Sequence, residues 1–169
     1  MVALTTALSS NSTSRNLSLL CGDISVVHLL PVFAVLEENR VLKSLTLDVY
    51  YSMDESVSDD IENGLGMDSL STAIKNGLEM NETLESLGLK HVYLSDNTLD
   101  SWCRAFSFLR TNKSLKSLVV ELQDCVTELC LSVFRTEIVA MLQDNVTLES
   151  LSIRKISGAF INPEDYILH

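Results

Sequence analysis

Glycine-rich loops that could cradle phosphate are missing from this chain: Gly64 and Gly66 lie in an acidic stretch, and neither G-x-G-x-x-G nor G-x-x-x-x-G-K occurs. Nucleotide binding is disfavoured accordingly, because such loops hold phosphates with successive backbone N–H groups. Clusters of Lys and Arg are equally scarce, and with a net charge of −11 the chain would repel a nucleic-acid backbone. Long apolar runs are lacking as well. The longest, Val26 to Leu36, is interrupted by His28 and Pro31 and falls short of the roughly 20 residues that span a bilayer. No Lys/Arg-bearing region precedes an apolar block at the amino terminus, where the first cation is Arg15, so the chain reads as cytosolic or nuclear, or as a fragment whose targeting segment was removed; the expected localisation is cytoplasmic, with no membrane contact.

Four cysteines, Cys21, Cys103, Cys125 and Cys130, form no C-x-x-C pair and have no His at ligand spacing, so neither a metal site nor a cofactor is expected. They read as reduced, mostly buried thiols that pack as small hydrophobes. Histidine offers no catalytic constellation. His28 falls in an apolar helical segment, His91 in a loop after a strand, and His169 closes the chain, none paired with Ser or Cys at motif spacing. A non-enzymatic protein is expected. The enzymatic alternative requires Cys103, Cys125 or Cys130 to lie within hydrogen-bond reach of His28 or His91.

What the chain does contain is a repeat. The pattern Leu-x-x-Asn-x-x-Leu-x-x-Leu-x-Leu/Ile occurs at Leu142–Ile153, Leu109–Val120, Leu78–Leu89 and Leu36–Leu47, with a weaker copy at Leu8–Leu19 where Ser14 replaces a leucine. The first leucines are 28, 42, 31 and 33 residues apart, and self-similarity at such a period marks a solenoid. Before each Asn the spacing is helical, as in Leu70, Ile74 and Leu78 or Leu131, Phe134, Ile138 and Leu142. Asn39, Asn81, Asn112 and Asn145 fall where a helix stops, a place suited to a residue tolerant of left-handed backbone. Leu-x-x-Leu-x-Leu then reads as a strand with alternate residues pointing inward. Helix and strand alternate, which makes neighbouring strands parallel. Pro31 predicts that the second helix starts late or kinks. Five N-x-S/T sequons, at Asn11, Asn16, Asn81, Asn112 and Asn145, would suggest secretion if independent, but four occupy the repeat's Asn position and so follow from the folding pattern.

These residues resemble the leucine-rich repeat family, and the period near 28 with helical outer segments is similar to its ribonuclease-inhibitor-like subtype over roughly Val2 to Ile156. The resemblance implies an α/β solenoid of about five repeats, with a curved parallel sheet and helices on the convex side, in a single domain spanning 1–169. It also implies a protein–protein interaction scaffold. The chain reads either as a fragment of a longer array or as a small protein that closes its uncapped N-terminal end by self-association. A narrower alternative comes from the last copies and their short end segment, which are similar to the actin-capping domain of tropomodulins. Where the family usually places Asn or Cys three residues past the strand's last leucine, this chain has Gly22, Tyr50, Val92, Gln123 and Ile156, so its turns are expected to be less regular.

The long second interval contains an acidic insertion, 48–68. Asp48, Asp54, Glu55, Asp59, Asp60, Glu62 and Asp68 lie in it, and no Lys or Arg falls between Lys43 and Lys75. It lacks the spacing of a calcium loop. With Tyr50 and Tyr51 beside the charge, the expected partner-binding residues are Tyr50, Tyr51, Asp54, Glu55, Asp59, Asp60 and Glu62, against a basic protein surface. On the concave face, two columns should alternate in sign: Asp48, Lys90, Glu121, Arg154, and Lys43, Glu85, Lys116, Glu149. Between them stand only small residues, so the usual aromatic and Arg anchors of an interface are missing there. Residues 157–169 do not repeat and are expected to cap the C-terminal end.

Overall fold

The computed structural model describes residues 2–21, 28–49, 65–123 and 127–156. In chain order these form α1 (Val2–Ser9), β1 (Asn16–Cys21), α2 (Leu30–Leu36), β2 (Ser44–Val49), α3 (Leu65–Glu79), β3 (Ser86–Val92), α4 (Leu99–Phe106), β4 (Ser117–Leu122), α5 (Glu128–Leu142) and β5 (Ser150–Lys155), with a 3₁₀ turn at Ser107–Arg110 after α4. The strands lie in one sheet in sequence order, each parallel to the next. This is an α/β, leucine-rich-repeat-like solenoid. The expected cap at 157–169 and most of the insertion, residues 50–64, lie outside the described residues.

Identical spacing in each copy produces an identical register. Leu17, Leu45, Leu87, Leu118 and Leu151 pair in one row, and Leu19, Leu47, Leu89, Val120 and Ile153 in the next. Period-two alternation sends both rows inward, onto the helices. Leu45, Leu87 and Leu118 are 0% exposed, whereas Leu151 is 36% exposed. The inward row, Leu45, Leu87, Leu118 and Leu151, is therefore fully buried in the middle strands and opens at β5, because among the described residues no further strand pairs with it.

Helical faces follow the same logic. Leu70, Ile74 and Leu78 on α3 are each 1% exposed, and Leu131, Phe134, Ile138 and Met141 form the buried stripe of α5. Thr127 caps α5, its hydroxyl accepting from the Cys130 N–H at 3.1 Å. Pro31 has the predicted effect: α2 starts only at Leu30, with the proline in the first turn, where a missing N–H costs nothing. That start leaves His28 exposed in the turn before α2, not in the apolar helix segment where the sequence reading put it. α3 packs closely on α2 through Gly77, where an added Cβ would collide with the backbone carbonyl of Phe33. Phe106 centres an aromatic cluster, 5.9 Å from Trp102, 5.6 Å from Phe134 and 6.2 Å from Phe108.

The repeat's asparagines do something other than what their position at a helix end suggests. Among the described non-glycine residues only His91 has positive φ, so they are not left-handed stops. Each folds its side chain over the next turn: Asn112 Oδ1 accepts from the N–H groups of Ser114 and Leu115, while its Nδ2 donates to the carbonyls of Leu78 and Asn81 in the preceding repeat. Asn81 bridges likewise to Leu36 and Asn39, and Asn145 to Leu109 and Asn112. Asn39 donates to the Leu8 carbonyl. The residue two further on adds a second rung, with Thr83, Ser114 and Thr147 donating their hydroxyls to the carbonyls of Asn39, Asn81 and Asn112. Backbone groups that would otherwise be buried unpaired between repeats are thereby satisfied. This is why N-x-S/T recurs.

Candidate interaction surfaces

On the outward face of the sheet, Ser44, Ser86, Ser117 and Ser150 align in one column and Thr46, Gly88, Val119 and Ser152 in the next. Gly88 keeps this floor low, since a Cβ there would stand 3.2 Å from the Thr46 hydroxyl. Charged rows border it on both sides.

Along one border Glu85 sits between two lysines, Lys43 Nζ at 3.0 Å and Lys116 Nζ at 2.9 Å. These hydrogen bonds and charges, Lys116 first and Lys43 second, hold the Glu85 carboxyl well below its ordinary value of 4.5, at about 2. The contact in turn pushes the Lys116 ammonium up, and Glu149 adds to that. The alternating column expected at Lys43, Glu85, Lys116 and Glu149 is therefore present, with ion pairs across its first three members.

The other border departs from expectation. Between the paired positions Leu89–Val120 and Val92–Leu122, β3 holds two residues, Lys90 and His91, against one in β4, Glu121. This is a bulge, and it is made by His91 at φ 56. Asp48 aligns with Lys90 in register, but its carboxylate meets the His91 ring, with Oδ1 2.7 Å from Nδ1. Glu121, which is 7% exposed, accepts from Arg154 Nε at 3.0 Å and also contacts the Arg154 Nη2. The predicted sequence Asp48, Lys90, Glu121, Arg154 is thus replaced by two local pairs, because the extra residue in β3 breaks the register between Lys90 and Glu121. The same bulge puts His91 inside β3 and not in a loop after it.

Most charges of the two rows are paired, with Lys90 and Glu149 outside the ion pairs, and the floor between the rows has only small side chains. Among the described residues the sheet face therefore offers a partner few uncommitted charged groups and no aromatic anchor.

The predicted partner-binding residues, Tyr50, Tyr51, Asp54, Glu55, Asp59, Asp60 and Glu62, lie outside the described residues. The two ends of the insertion are described. Asp48 belongs to β2, and Asp68 to the first turn of α3, where it accepts from Ser101 Oγ at 2.8 Å and Arg104 Nη1 at 3.0 Å. The insertion proper is therefore shorter than 48–68, and its C-terminal end is tied to α4. A surface that sequence reasoning missed lies beside it, an open groove between α2 and α3 lined by Leu30, Pro31, Ala34, Asp68, Thr72 and Ala73, among others. Its signal was Pro31, which keeps α2 at 7 residues against the 15 of α3.

Cys103 and Cys130, the cysteines whose side chains are described, are placed unfavourably for nucleophilic chemistry. Burial, then the nearby acids Glu137 and Asp100, push the Cys103 thiol up to about 11, and burial with Asp96 raises Cys130. His91 is engaged by Asp48, and His28 is exposed. Cys125 and His169 lie outside the described residues, and among the described residues no group of three or more His, Cys, Asp or Glu could hold a metal ion.

No family model and no curated protein matches this chain. Among solved structures, "Leiomodin-1 Actin-Binding Site 2 (ABS2)" is similar, with a TM-score of 0.63 and 21% sequence identity over 88% of this chain and 76% of that one. A likeness at that identity is one of fold.

Proposed function

We propose that this chain is a non-enzymatic protein-interaction scaffold of leucine-rich-repeat type, acting in the cytoplasm and contacting its partner outside the concave face. The observation that carries this reading is the pairing of most charges in the rows on the sheet, Lys43–Glu85–Lys116, Asp48–His91 and Glu121–Arg154, with only small side chains between them, which leaves ends, loops and helices as the more available surfaces. The raised Cys103 and Cys130 thiols weigh against the enzymatic alternative.

The contact we assign is the acidic insertion, Tyr50, Tyr51, Asp54, Glu55, Asp59, Asp60 and Glu62, with a basic protein surface as its complement. Its charge density supports this: five acids and no base fall between Tyr50 and Gly64 in a chain of net charge −11. Residues 157–169 are assigned as the cap of the C-terminal end, supported by the 36% exposure of Leu151 where Leu45, Leu87 and Leu118 are buried. Self-association through the N-terminal end is a further contact that the sequence reading raised, and the 63% exposure of Leu20 on edge strand β1 is in keeping with it.

One observation favours a narrower reading in which the partner is actin: the likeness in fold to a leiomodin-1 domain whose title is that of an actin-binding site. The test is affinity capture from native lysate followed by titration with purified monomeric actin. Saturable actin binding supports the narrow reading. A different saturable partner leaves the scaffold and removes actin, and turnover of a small-molecule substrate would overturn the scaffold itself.

A further inference from the structure

The sequons and the interlocking asparagines are the same residues, and the consequence is chemical. N-glycosylation transfers an oligosaccharide from a lipid pyrophosphate carrier to Asn Nδ2. A bond forms between the sugar's C1 and the nitrogen, the bond from C1 to the carrier phosphate breaks, and one amide proton is lost, leaving a single N–H. The interior asparagines use both. Asn81 Nδ2 donates to Leu36 O at 2.6 Å and Asn39 O at 3.1 Å, and Asn112 Nδ2 to Leu78 O at 2.6 Å and Asn81 O at 3.2 Å. Asn145 Nδ2 reaches Leu109 O at 2.6 Å and Asn112 O at 3.4 Å. Space is lacking too, since Asn81 is 2% exposed and Asn112 5% exposed.

The remaining two sequons differ. Asn11 stands at the start of the row, half-buried, and its Nδ2 donates once, to Ser14 O at 2.7 Å, so a second proton is available for replacement. Asn16 is exposed at the first position of edge strand β1.

We infer that the native fold and a glycan on Asn81, Asn112 or Asn145 exclude each other, so that the folded chain can carry an N-linked glycan only on Asn11 or Asn16. A compartment that glycosylates sequons before folding is one in which this chain loses the contacts between its repeats. The inference is independent of the proposed function, since it rests on the amide hydrogen bonds alone.

The test directs the full chain, behind a secretion signal, through a eukaryotic secretory pathway with and without tunicamycin. Folded and retained fractions are separated by protease resistance, and glycopeptides are mapped by mass spectrometry. The expected result is that glycans on Asn81, Asn112 and Asn145 are confined to the protease-sensitive fraction, with the folded yield rising several-fold under tunicamycin. A protease-resistant, cooperatively unfolding fraction with a glycan on any of the three would overturn the inference. So would a misfolded fraction in which all three are bare, because the failure to fold would then have another cause. Asn16→Gln serves as the control and should leave the distribution among the three unchanged.

Discussion

His91 Nδ1 lies 2.7 Å from Asp48 Oδ1 across the β2–β3 pair, and His91 holds the left-handed backbone angle that makes the bulge in β3. Position 91 thus combines a side-chain pairing with a backbone conformation that few residues adopt. His91→Val removes the pair and forces a β-branched residue into that conformation, and should cost about 1 to 3 kcal/mol. His91→Gly removes the pair but relaxes the backbone, so it should retain more stability. Urea unfolding midpoints decide: equal losses in the two variants would mean that the backbone angle is unstrained.

Asn112→Ala deletes an amide that makes four backbone hydrogen bonds at a position 5% exposed, and should destabilise by about 3 kcal/mol as buried carbonyls and N–H groups lose their partner. Asn11→Ala, which removes an amide whose exposed hydrogen bonds stay within its own turn, should cost about 1 kcal/mol or less. Denaturant titration of both proteins checks the difference, and similar losses would show that bridging between repeats contributes little.

Much of this fold was legible because the repeat carries it in plain spacing: Leu45, Leu87 and Leu118 align as their positions in successive copies require. Pro31 likewise announced the late start of α2. The role of the asparagines was misassigned because a helix-end Asn has a familiar local use. The signal that could have found the actual one was Thr83, Ser114 and Thr147, each two residues on, which a left-handed stop does not need and an interlock does. The bulge at His91 was not legible, since no glycine marks it. The predicted contact residues, Tyr50 to Glu62, all lie outside the described residues, so their assignment rests on the sequence pattern.

Core position within the stack should grade the cost of truncation. Leu118→Ala, fully buried between β3 and β5, should lose about 2 to 5 kcal/mol by cavity formation. Leu151→Ala, at 36% exposure, should lose less than Leu118→Ala, since less of its side chain is enclosed. Thermal unfolding of the pair is the measurement, and equal losses would show that exposure does not grade the core.

Glu85 supplies a pH prediction. Its carboxyl, held at about 2 by Lys116 and Lys43 against an ordinary value of 4.5, is more acidic in the folded chain than in the unfolded one. The stability it contributes is therefore fully present above the ordinary value and is lost as pH falls toward about 2. The stability difference between the wild type and Glu85→Gln should be constant near neutrality, shrink through that acid window, and also shrink with added salt because the group is exposed. A difference that persists unchanged at the acid end would mean that the ion pairs are not its source.

The account's central claim is that this solenoid works by offering a surface to another protein, with the acidic insertion as the contact. Replacing Asp54 to Glu62 with a Gly/Ser linker removes five acids, Asp54, Glu55, Asp59, Asp60 and Glu62, without touching the strands. Affinity of the captured partner for the intact chain and for this variant, each measured at low and raised ionic strength, is the most direct test. The account predicts that the intact chain binds more tightly and weakens more steeply with salt. Equal affinities with equal salt dependence would contradict it and place the contact on another surface of the solenoid.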